Sequence, residues 1–346
     1  MSTGDTARAT VMEVHAPGAP LVAETRDVPS PKAGQVRVAI KASGVCFADV
    51  GLAAAQDDDI NFPVTPGHEI AGVIAEVGDD VTRWQVGDRV AVGWFGGSCG
   101  QCSYCRRGDP VHCAERIRPG WSYQGGWAQN IIVPIDALAE IPQDMDFFDA
   151  APMGCAGVTT FNAIRNAQVP VGGTVAVFGI GGLGHLAVQF ASAMGYRTVA
   201  ISRGADRAKP AHQLGADHYI DSTARPVGEA LAQLGGADLI VSTASTTEPV
   251  EDLLGGIAVH GQLTLLGIDD GSITVPAGQL AGNGQFITGH LTGSPQDTEN
   301  AMQFAQRNNI QPVIERMPLQ GVNEAVKRIA SGDARFRIVL DPTDAQ

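Results

Sequence analysis

The chain has 346 residues, of which 44% are hydrophobic and 17% are charged, as in a globular protein with a large core. Its 37 acidic residues outnumber its 23 basic ones, so the net charge is −14. This balance argues against nucleic acid and anionic membrane surfaces as partners, because both are bound through Lys and Arg. We find no apolar run of about 18 residues and no signal-peptide pattern, so we expect a cytoplasmic protein with six reduced cysteines.

The pattern of apolar residues changes along the chain. Short Val-rich segments such as Val36–Ile40 and Ala71–Val77, bounded by Gly, Pro and Asp, indicate an irregular β-rich unit. Further on, strand-length runs such as Thr174–Phe178 and Thr198–Ile201 alternate with helical lengths such as Leu183–Met194. This alternation predicts βαβ units around a parallel sheet buried on both faces. Near the C-terminus we predict strands at Phe286–Leu291 and Arg337–Asp341 and helices at Pro295–Gln306 and Gly321–Ile329.

Four cysteines lie close together in the segment GSCGQCSYCRRGDPVHC. Cys99, Cys102, Cys105 and Cys113 have the spacing C-x2-C-x2-C-x7-C, which lets neighbouring sulfurs converge on one ion. Four thiolates complete a tetrahedral zinc site that has no position left for a substrate, so we predict a structural zinc that helps to fold the loop. Free thiols and an iron–sulfur cluster are the alternatives.

The other two cysteines lie far apart in the sequence. Cys46 follows an apolar strand, Cys155 precedes the βαβ region, and His68 and Glu69 follow a Pro–Gly turn between them. A zinc ion held by two cysteines and one histidine keeps one position open for water or substrate. Only the fold can bring these residues together, so buried cysteines and a core histidine remain alternatives.

A glycine-rich loop follows the strand Thr174–Phe178 and precedes a predicted helix. This context is the one in which G-x-G-x-x-G binds a dinucleotide, because the helix N-terminus and exposed N–H groups favour the pyrophosphate. A glycine-rich turn of a flavodoxin-like domain is the alternative. The loop residues are Gly179, Ile180, Gly181, Gly182, Leu183 and Gly184.

The next strand ends without the acidic residue that usually binds the ribose 2′-hydroxyl of NAD. Ser202 and Arg203 stand there instead, and Arg207 or Lys209 could assist them. A guanidinium forms charge-assisted hydrogen bonds with a phosphate, so the sequence favours NADP over NAD. Alternatively, Arg203 only begins a solvated helix.

Several motifs occur in one order along the chain. They are GVCFAD (44–49), PGHEIAG (66–72), VGDRV (86–90), the four-cysteine loop, GCAGVTT (154–160), GIGGLG (179–184) and RIVLD (337–341). Together they resemble the zinc-containing medium-chain alcohol dehydrogenase family, including its cinnamyl-alcohol-dehydrogenase-like and bacterial members. The likeness covers essentially the whole chain, and the combination is far more specific than any single motif.

The resemblance implies an α/β protein with two domains. A β-rich GroES-like catalytic domain would comprise residues 1–150 and 286–346, and a Rossmann domain with a doubly wound parallel sheet would comprise residues 151–285. The first strand of the segment 286–346, Phe286–Leu291, could still belong to the Rossmann sheet and contribute to an oligomer interface. The resemblance further implies a homodimer or homotetramer that binds a small-molecule substrate in the cleft between its domains.

The resemblance also implies the residues of the active site. Cys46, His68 and Cys155 would be the catalytic zinc ligands, since they match the ligand set known for alcohol dehydrogenase. Glu69 would be an alternative ligand, and Asp49 would orient His68. The zinc would act as a Lewis acid on the substrate oxygen while hydride passes between substrate and nicotinamide. Two further residues, Thr159 and Arg337, would contact the cofactor.

One position departs from the family pattern. Ala48 stands where members commonly have Ser or Thr, whose hydroxyl begins the proton relay from the substrate, and such proton transfer contributes about 10²–10⁴-fold. Phe47 likewise replaces a His or Arg. An alcohol dehydrogenase or aldehyde reductase therefore competes with a zinc-containing reductase of activated C=C or C=N bonds. A non-catalytic nucleotide-binding protein is the third hypothesis, and the complete set of metal ligands argues against it.

Apolar residues near these motifs are candidates for the walls of a substrate pocket, and each is equally consistent with core packing. Such a pocket would suit hydrophobic primary or secondary alcohols, aldehydes or ketones better than polyols. The candidates are Phe47, Ala48, Trp94, Trp121, Met153, Ile268 and Leu291.

Overall fold

The computed structural model describes residues 7–54, 60–267 and 271–343. Its strands, in chain order, are β1 (Ala7–Glu13), β2 (Val22–Val28), β3 (Gln35–Val45), β4 (Ile70–Val77), β5 (Arg89–Val92), β6 (Asn130–Pro134), β7 (Leu138–Glu140), β8 (Thr174–Phe178), β9 (Arg197–Ser202), β10 (His218–Asp221), β11 (Ala237–Ser242), β12 (Ile257–Leu265), β13 (Phe286–Gly289), β14 (Ile314–Pro318) and β15 (Arg337–Asp341). Its α-helices are α1 (Phe47–Ala54), α2 (Ser103–Arg106), α3 (Phe147–Ala150), α4 (Ala156–Arg165), α5 (Gly184–Ala193), α6 (Ala208–Gln213), α7 (Val227–Gln233), α8 (Val250–Leu254), α9 (Ala277–Asn283), α10 (Pro295–Arg307) and α11 (Val322–Ser331).

The chain forms two compact units. The first comprises the chain up to Val158, Thr292–Gln306 and the chain from Pro312 onward, and the second comprises Thr159–Leu291 and Arg307–Gln311. The first unit extends beyond residue 150, the boundary expected from the sequence, because α3 and the turn after it pack against β3 and β4. The strand β13 pairs with β12 in the second unit. No helix in the described part of the chain has the length and apolarity needed to cross a membrane.

A seven-stranded sheet organises the first unit. The order is β14–β15–β3–β4–β5–β7, and β6 also pairs with β3. The side chains of β3 alternate between half-buried and buried along most of its length, as expected for a strand with one face on the core. Val36, Val38 and Ile40 enter that core, where they join Ile70 and Ile74 of β4. The carboxyl end of β3 and the amino end of β4 are therefore held together, and both lead directly into site residues.

The second unit is built on a six-stranded, wholly parallel sheet. The order is β10–β9–β8–β11–β12–β13, so the chain changes direction across the sheet between β8 and β11. The central strands β8 and β11 are buried along nearly their full length, as is usual for strands of a parallel sheet that helices cover on both faces. Doubly wound sheets bind ligands at the carboxyl ends of the strands at this point of reversal.

Candidate functional site

The four-cysteine loop brings its sulfurs to the spacing of a zinc site. The Sγ atoms of Cys102 and Cys105 lie 3.5 Å apart, as do those of Cys113 and Cys99, and those of Cys99 and Cys105 lie 4.0 Å apart. A tetrahedral zinc with Zn–S bonds of about 2.3 Å places sulfurs about 3.8 Å apart. The four thiols therefore fit one closed tetrahedral ion.

The loop also supplies hydrogen bonds that favour thiolates. Cys102 precedes α2, and its sulfur accepts from the backbone N–H of Cys105 at 3.5 Å. The backbone N–H groups of Gln101 and Cys102 lower the pKa of Cys99, and a hydrogen bond with Ser98 lowers the pKa of Cys105 to about 7. At Cys113 a backbone hydrogen bond with Cys99 lowers the pKa, but burial and the side chains of Cys99 and Cys105 outweigh it and raise the pKa to about 11. Since zinc binds the thiolate form, the lowered pKa values of Cys99 and Cys105 favour metal binding at those two ligands.

A second cluster joins residues that are distant in the sequence. Cys46 follows β3, His68 and Glu69 precede β4, and Cys155 precedes α4. The ligand atoms of these four residues all lie within 4.8 Å of one another, and the sulfurs of Cys46 and Cys155 lie 3.9 Å apart. The hydrogen bond from Cys155 lowers the pKa of Cys46 well below its usual range and raises that of Cys155. The thiolate form of the buried Cys46 is thus favoured.

Asp49 fixes the orientation of the histidine in this cluster. Its carboxylate accepts from the backbone N–H of Cys46 at 3.0 Å, from that of Gly67 at 3.2 Å and from His68 Nδ1 at 2.8 Å. The Nε2 atom of His68 is buried and makes no hydrogen bond to a described residue. A buried ring nitrogen left without a partner is what a metal ligand presents, so the cluster fits a zinc ion.

Glu69 lies behind the cluster and pairs with Arg337. Arg337 donates to Glu69 Oε1, and both side chains are buried. Burial raises the pKa of Glu69 to about 7, although the guanidinium acts against this shift. Its other oxygen, Oε2, makes no hydrogen bond to a described residue. That oxygen lies against Gly44, where any Cβ would collide with it, so the close approach requires glycine. The guanidinium of Arg337 is thus paired with Glu69. The contact of Arg337 with the cofactor pyrophosphate, which the resemblance implies, stays a prediction.

The glycine loop of the second unit has the geometry of a dinucleotide-binding turn. It connects β8 to α5, and Gly179 has a φ of +90°, which favours glycine. A Cβ at Gly184 would collide with the carbonyl oxygen of Gly179, so this position also needs glycine. A Cβ at Gly181 would meet nothing within 4 Å, which leaves the backbone open to a ligand. The remaining loop residues are Ile180, which is buried, and Gly182 and Leu183, which are half-buried.

Sequence reasoning missed a threonine that holds this turn. Thr243 follows β11, and its hydroxyl donates to the carbonyl oxygens of Gly179 at 2.8 Å and Phe178 at 3.1 Å. The contact depends on the pairing of β11 with β8. No local spacing in the sequence could have indicated it.

The loop after β9 contains the residues predicted to select the cofactor. Ser202 ends β9, Arg203 is exposed, and Arg207 lies in a short helical turn. Tyr219 of β10 braces this loop, since its hydroxyl donates to the carbonyl oxygens of Ser202 at 3.1 Å and Gly204 at 2.6 Å. The described loop therefore has a fixed backbone and exposes a basic side chain.

Two family models match the chain. The alcohol dehydrogenase GroES-like domain matches residues 32–143, and the zinc-binding dehydrogenase model matches residues 182–307. The chain is also 40% identical over 328 residues to Alcohol dehydrogenase notN of Aspergillus sp. (strain MF297-2), covering 93% of this chain and 95% of that protein. The chain belongs to the zinc-containing medium-chain alcohol dehydrogenase family.

Solved structures of the family have the same fold. A cinnamyl alcohol dehydrogenase of Sorghum bicolor aligns with a TM-score of 0.90 and 28% identity, covering 98% of this chain and 99% of that one. CAD from Helicobacter pylori, complexed with NADP(H), aligns with a TM-score of 0.87 and 26% identity, covering 98% and 99%. The expected α/β fold with GroES-like and Rossmann parts is thereby confirmed. The chain is an NAD(P)-dependent zinc alcohol dehydrogenase.

The residues predicted for the substrate pocket of this dehydrogenase differ in exposure. The side chain of Phe47 is 54% exposed, whereas Met153 is fully buried with its sulfur against Gly157. The hydroxyl of Thr159, predicted to contact the cofactor, donates to the carbonyl of Leu291 at 3.3 Å. Ala48, Trp94, Trp121 and Leu291 are half-buried, and Ile268 lies outside the described residues.

Proposed function

We propose that this enzyme transfers hydride between NADP(H) and a hydrophobic alcohol or its aldehyde or ketone, with a catalytic and a structural zinc in each chain. The observation that carries the proposal is the convergence of buried Cys46, buried His68 and half-buried Cys155, in which Asp49 fixes the histidine. We extend the proposal to a cytoplasmic homodimer or homotetramer.

Each residue around this group has a distinct task in the proposal. The zinc, when bound, acts as a Lewis acid that polarises the substrate oxygen. Asp49 holds the Nδ1 proton of His68, so that Nε2 faces the metal. Arg337 pairs with Glu69 and neutralises its charge. This ion pair holds the Glu69 carboxylate behind Cys46, His68 and Cys155, unless these ligands rearrange. The chain thus supplies three ligands and leaves a position for the substrate.

Proton transfer is the step for which the chain lacks the usual group. Ala48 is half-buried in the first turn of α1 and carries no hydroxyl. In carbonyl reduction, water would have to deliver the proton to the substrate oxygen. Reduction of an activated C=C or C=N bond adds the proton to carbon or nitrogen and needs no proton on a substrate oxygen. Ala48 is therefore the observation that favours this second candidate function.

We propose NADP as the preferred cofactor, with NAD as the alternative. The exposed Arg203 follows Ser202 at the end of β9, where an acidic residue would select NAD. Arg207 lies in the same loop and adds a second cation. Arg203→Gln should therefore raise the KM for NADPH by about tenfold, as expected for loss of a charge-assisted hydrogen bond, and leave the KM for NADH unchanged. Arg225→Gln, which changes an exposed arginine paired with Gln233, is the matched control.

The function is tested by initial rates with a panel of aldehydes, using NADPH and NADH in parallel. His68→Ala should abolish turnover, whereas His15→Ala, which changes an exposed histidine outside both clusters, should not. With cinnamaldehyde as substrate, cinnamyl alcohol as the product supports carbonyl reduction, and the saturated aldehyde supports C=C reduction. Failure to turn over any carbonyl, alkene or imine in a zinc-replete sample would overturn both functions.

A further inference from the structure

Two side chains of β10 lie beside the end of β9, where the loop of residues 203–207 begins. Tyr219 and Asp221 are two positions apart on β10, so they lie on the same face of the strand. In the parallel pairing of the two strands they stand opposite Ala200 and Ser202 of β9. The register therefore brings both side chains of β10 to the 203–207 loop.

These two side chains form a clamp on Gly204. The Tyr219 hydroxyl donates to the carbonyl oxygen of Gly204 at 2.6 Å and also to that of Ser202 at 3.1 Å. Asp221 Oδ1 accepts from the backbone N–H of Gly204 at 2.9 Å. Gly204 has a φ of +86°, and glycine has more backbone freedom than any other residue. The clamp removes this freedom at the point where the loop turns.

The loop that the clamp holds carries an excess of positive charge. The segment 202–209 has three basic residues and one acidic residue, although the whole chain has a net charge of −14. Neither Arg203 nor Arg207 forms an ion pair with a described residue. Burial and Asp221 raise the pKa of Tyr219, and the charge of Arg207 acts against this shift, so Arg207 lies near the clamp. The two guanidinium groups are therefore available to an anionic ligand.

We propose that Tyr219 and Asp221 are positioning residues for the 2′-phosphate of NADP(H) and strengthen the preference of the enzyme for this cofactor over NAD(H). The inference rests on the proposed preference for NADP and goes beyond it, because it assigns part of that preference to a neighbouring strand. Arg203 binds the phosphate. The clamp holds the 203–207 loop in the conformation from which Arg203 does so.

The clamp acts by ordering the loop before the cofactor binds. An arginine on a mobile loop loses backbone freedom when it binds a phosphate, and this loss opposes binding. Removal of one net hydrogen bond from the clamp should therefore weaken the binding of a 2′-phosphorylated nucleotide by about 3- to 10-fold. A nucleotide without this phosphate does not use Arg203, so its affinity should change little.

The experiment measures the binding of adenosine 2′,5′-bisphosphate and of 5′-AMP by calorimetry, using the zinc-loaded enzyme. Tyr219→Phe should raise the Kd for the bisphosphate by about 3- to 10-fold and change the Kd for AMP less than about twofold. Asp221→Ala should act in the same way, whereas Asp221→Asn, which keeps an acceptor for the Gly204 N–H, should retain most of the affinity. In kinetic assays the change should raise the KM for NADPH more than it lowers kcat. Tyr196→Phe, which changes a half-buried tyrosine directly before β9, is the matched control and should bind both nucleotides as wild type does.

The possible outcomes separate this inference from the proposed function. If Tyr219→Phe and Asp221→Ala bind the bisphosphate as wild type does, or lose affinity for both nucleotides equally, the positioning role is overturned while the preference for NADP stands. If the wild-type enzyme binds AMP as tightly as the bisphosphate, the proposed preference fails, and the inference fails with it. Absence of turnover contradicts hydride transfer alone, because the binding measurements need no substrate. If Tyr219→Phe does not fold, the contrast between Asp221→Ala and Asp221→Asn decides the question.

Discussion

Replacing Asp49 with Asn should weaken zinc binding at the catalytic group without unfolding the enzyme. The carboxylate accepts three hydrogen bonds, one from His68 and two from backbone N–H groups of Cys46 and Gly67. Asn has one acceptor oxygen, so its amide NH2 must face at least one of these donors. Carboxylates that orient a ligand histidine contribute about 10- to 100-fold to metal affinity, which is about 1.4–2.7 kcal/mol.

The assay is a titration of the zinc-loaded protein with a competing chelator, followed by kcat/KM at each zinc occupancy. We expect Asp49→Asn to lose one zinc at about 10- to 100-fold lower chelator concentration, while the second zinc, in the four-cysteine loop, is unaffected. Asp252→Asn is the matched control, because Asp252 also accepts from two backbone N–H groups, of Val227 and Gly228, and makes no hydrogen bond to a histidine among the described residues. Zinc affinity within twofold of wild type in Asp49→Asn would refute the reasoning.

The remaining predictions concern the proton path, the cofactor turn and the structural metal. Ala48→Ser should raise kcat for aldehydes by at least about tenfold if the carbonyl is the substrate, and leave C=C reduction unchanged. Gly184→Ala should lower both the thermal midpoint and NADPH affinity because its Cβ meets the Gly179 carbonyl, whereas Gly181→Ala should leave the midpoint unchanged. An equal loss of stability in both variants would contradict this. Cys105→Ser should reduce bound zinc from two ions to one per chain, measured by metal analysis.

Features encoded within one short segment could be predicted closely. The strand β8 runs from Thr174 to Phe178, as its apolar run indicates, and α5 begins within one residue of the predicted start. The four cysteines lie within 15 residues, and their sulfurs converge as the repeated C-x2-C spacing indicates. In each case the local spacing of residues in one segment determines where the element lies or how its side chains converge.

Contacts that depend on strand pairing could not be predicted from spacing. Arg337 and Glu69 are 268 positions apart, and they meet because β15 and β4 both pair with β3. Thr243 reaches Gly179 only through the neighbouring strands β8 and β11. The C-terminal boundary of the first unit's long N-terminal segment also depends on tertiary packing, because the turn before Cys155 packs on β3 and β4.

The two candidate metal groups differ in what holds their side chains, and this difference accounts for the different tasks that we propose for them. In the loop, the ligands lie on a short segment whose turns have little core of their own, so the metal itself contributes to the local fold. In the catalytic group, Asp49 and the pair of Glu69 with Arg337 hold the side chains, and the core strands β3 and β4 fix the backbone. A site that the protein holds by itself does not need every metal position filled by a side chain. In our proposal the remaining position is available to the substrate, which a catalytic metal requires and a structural one does not.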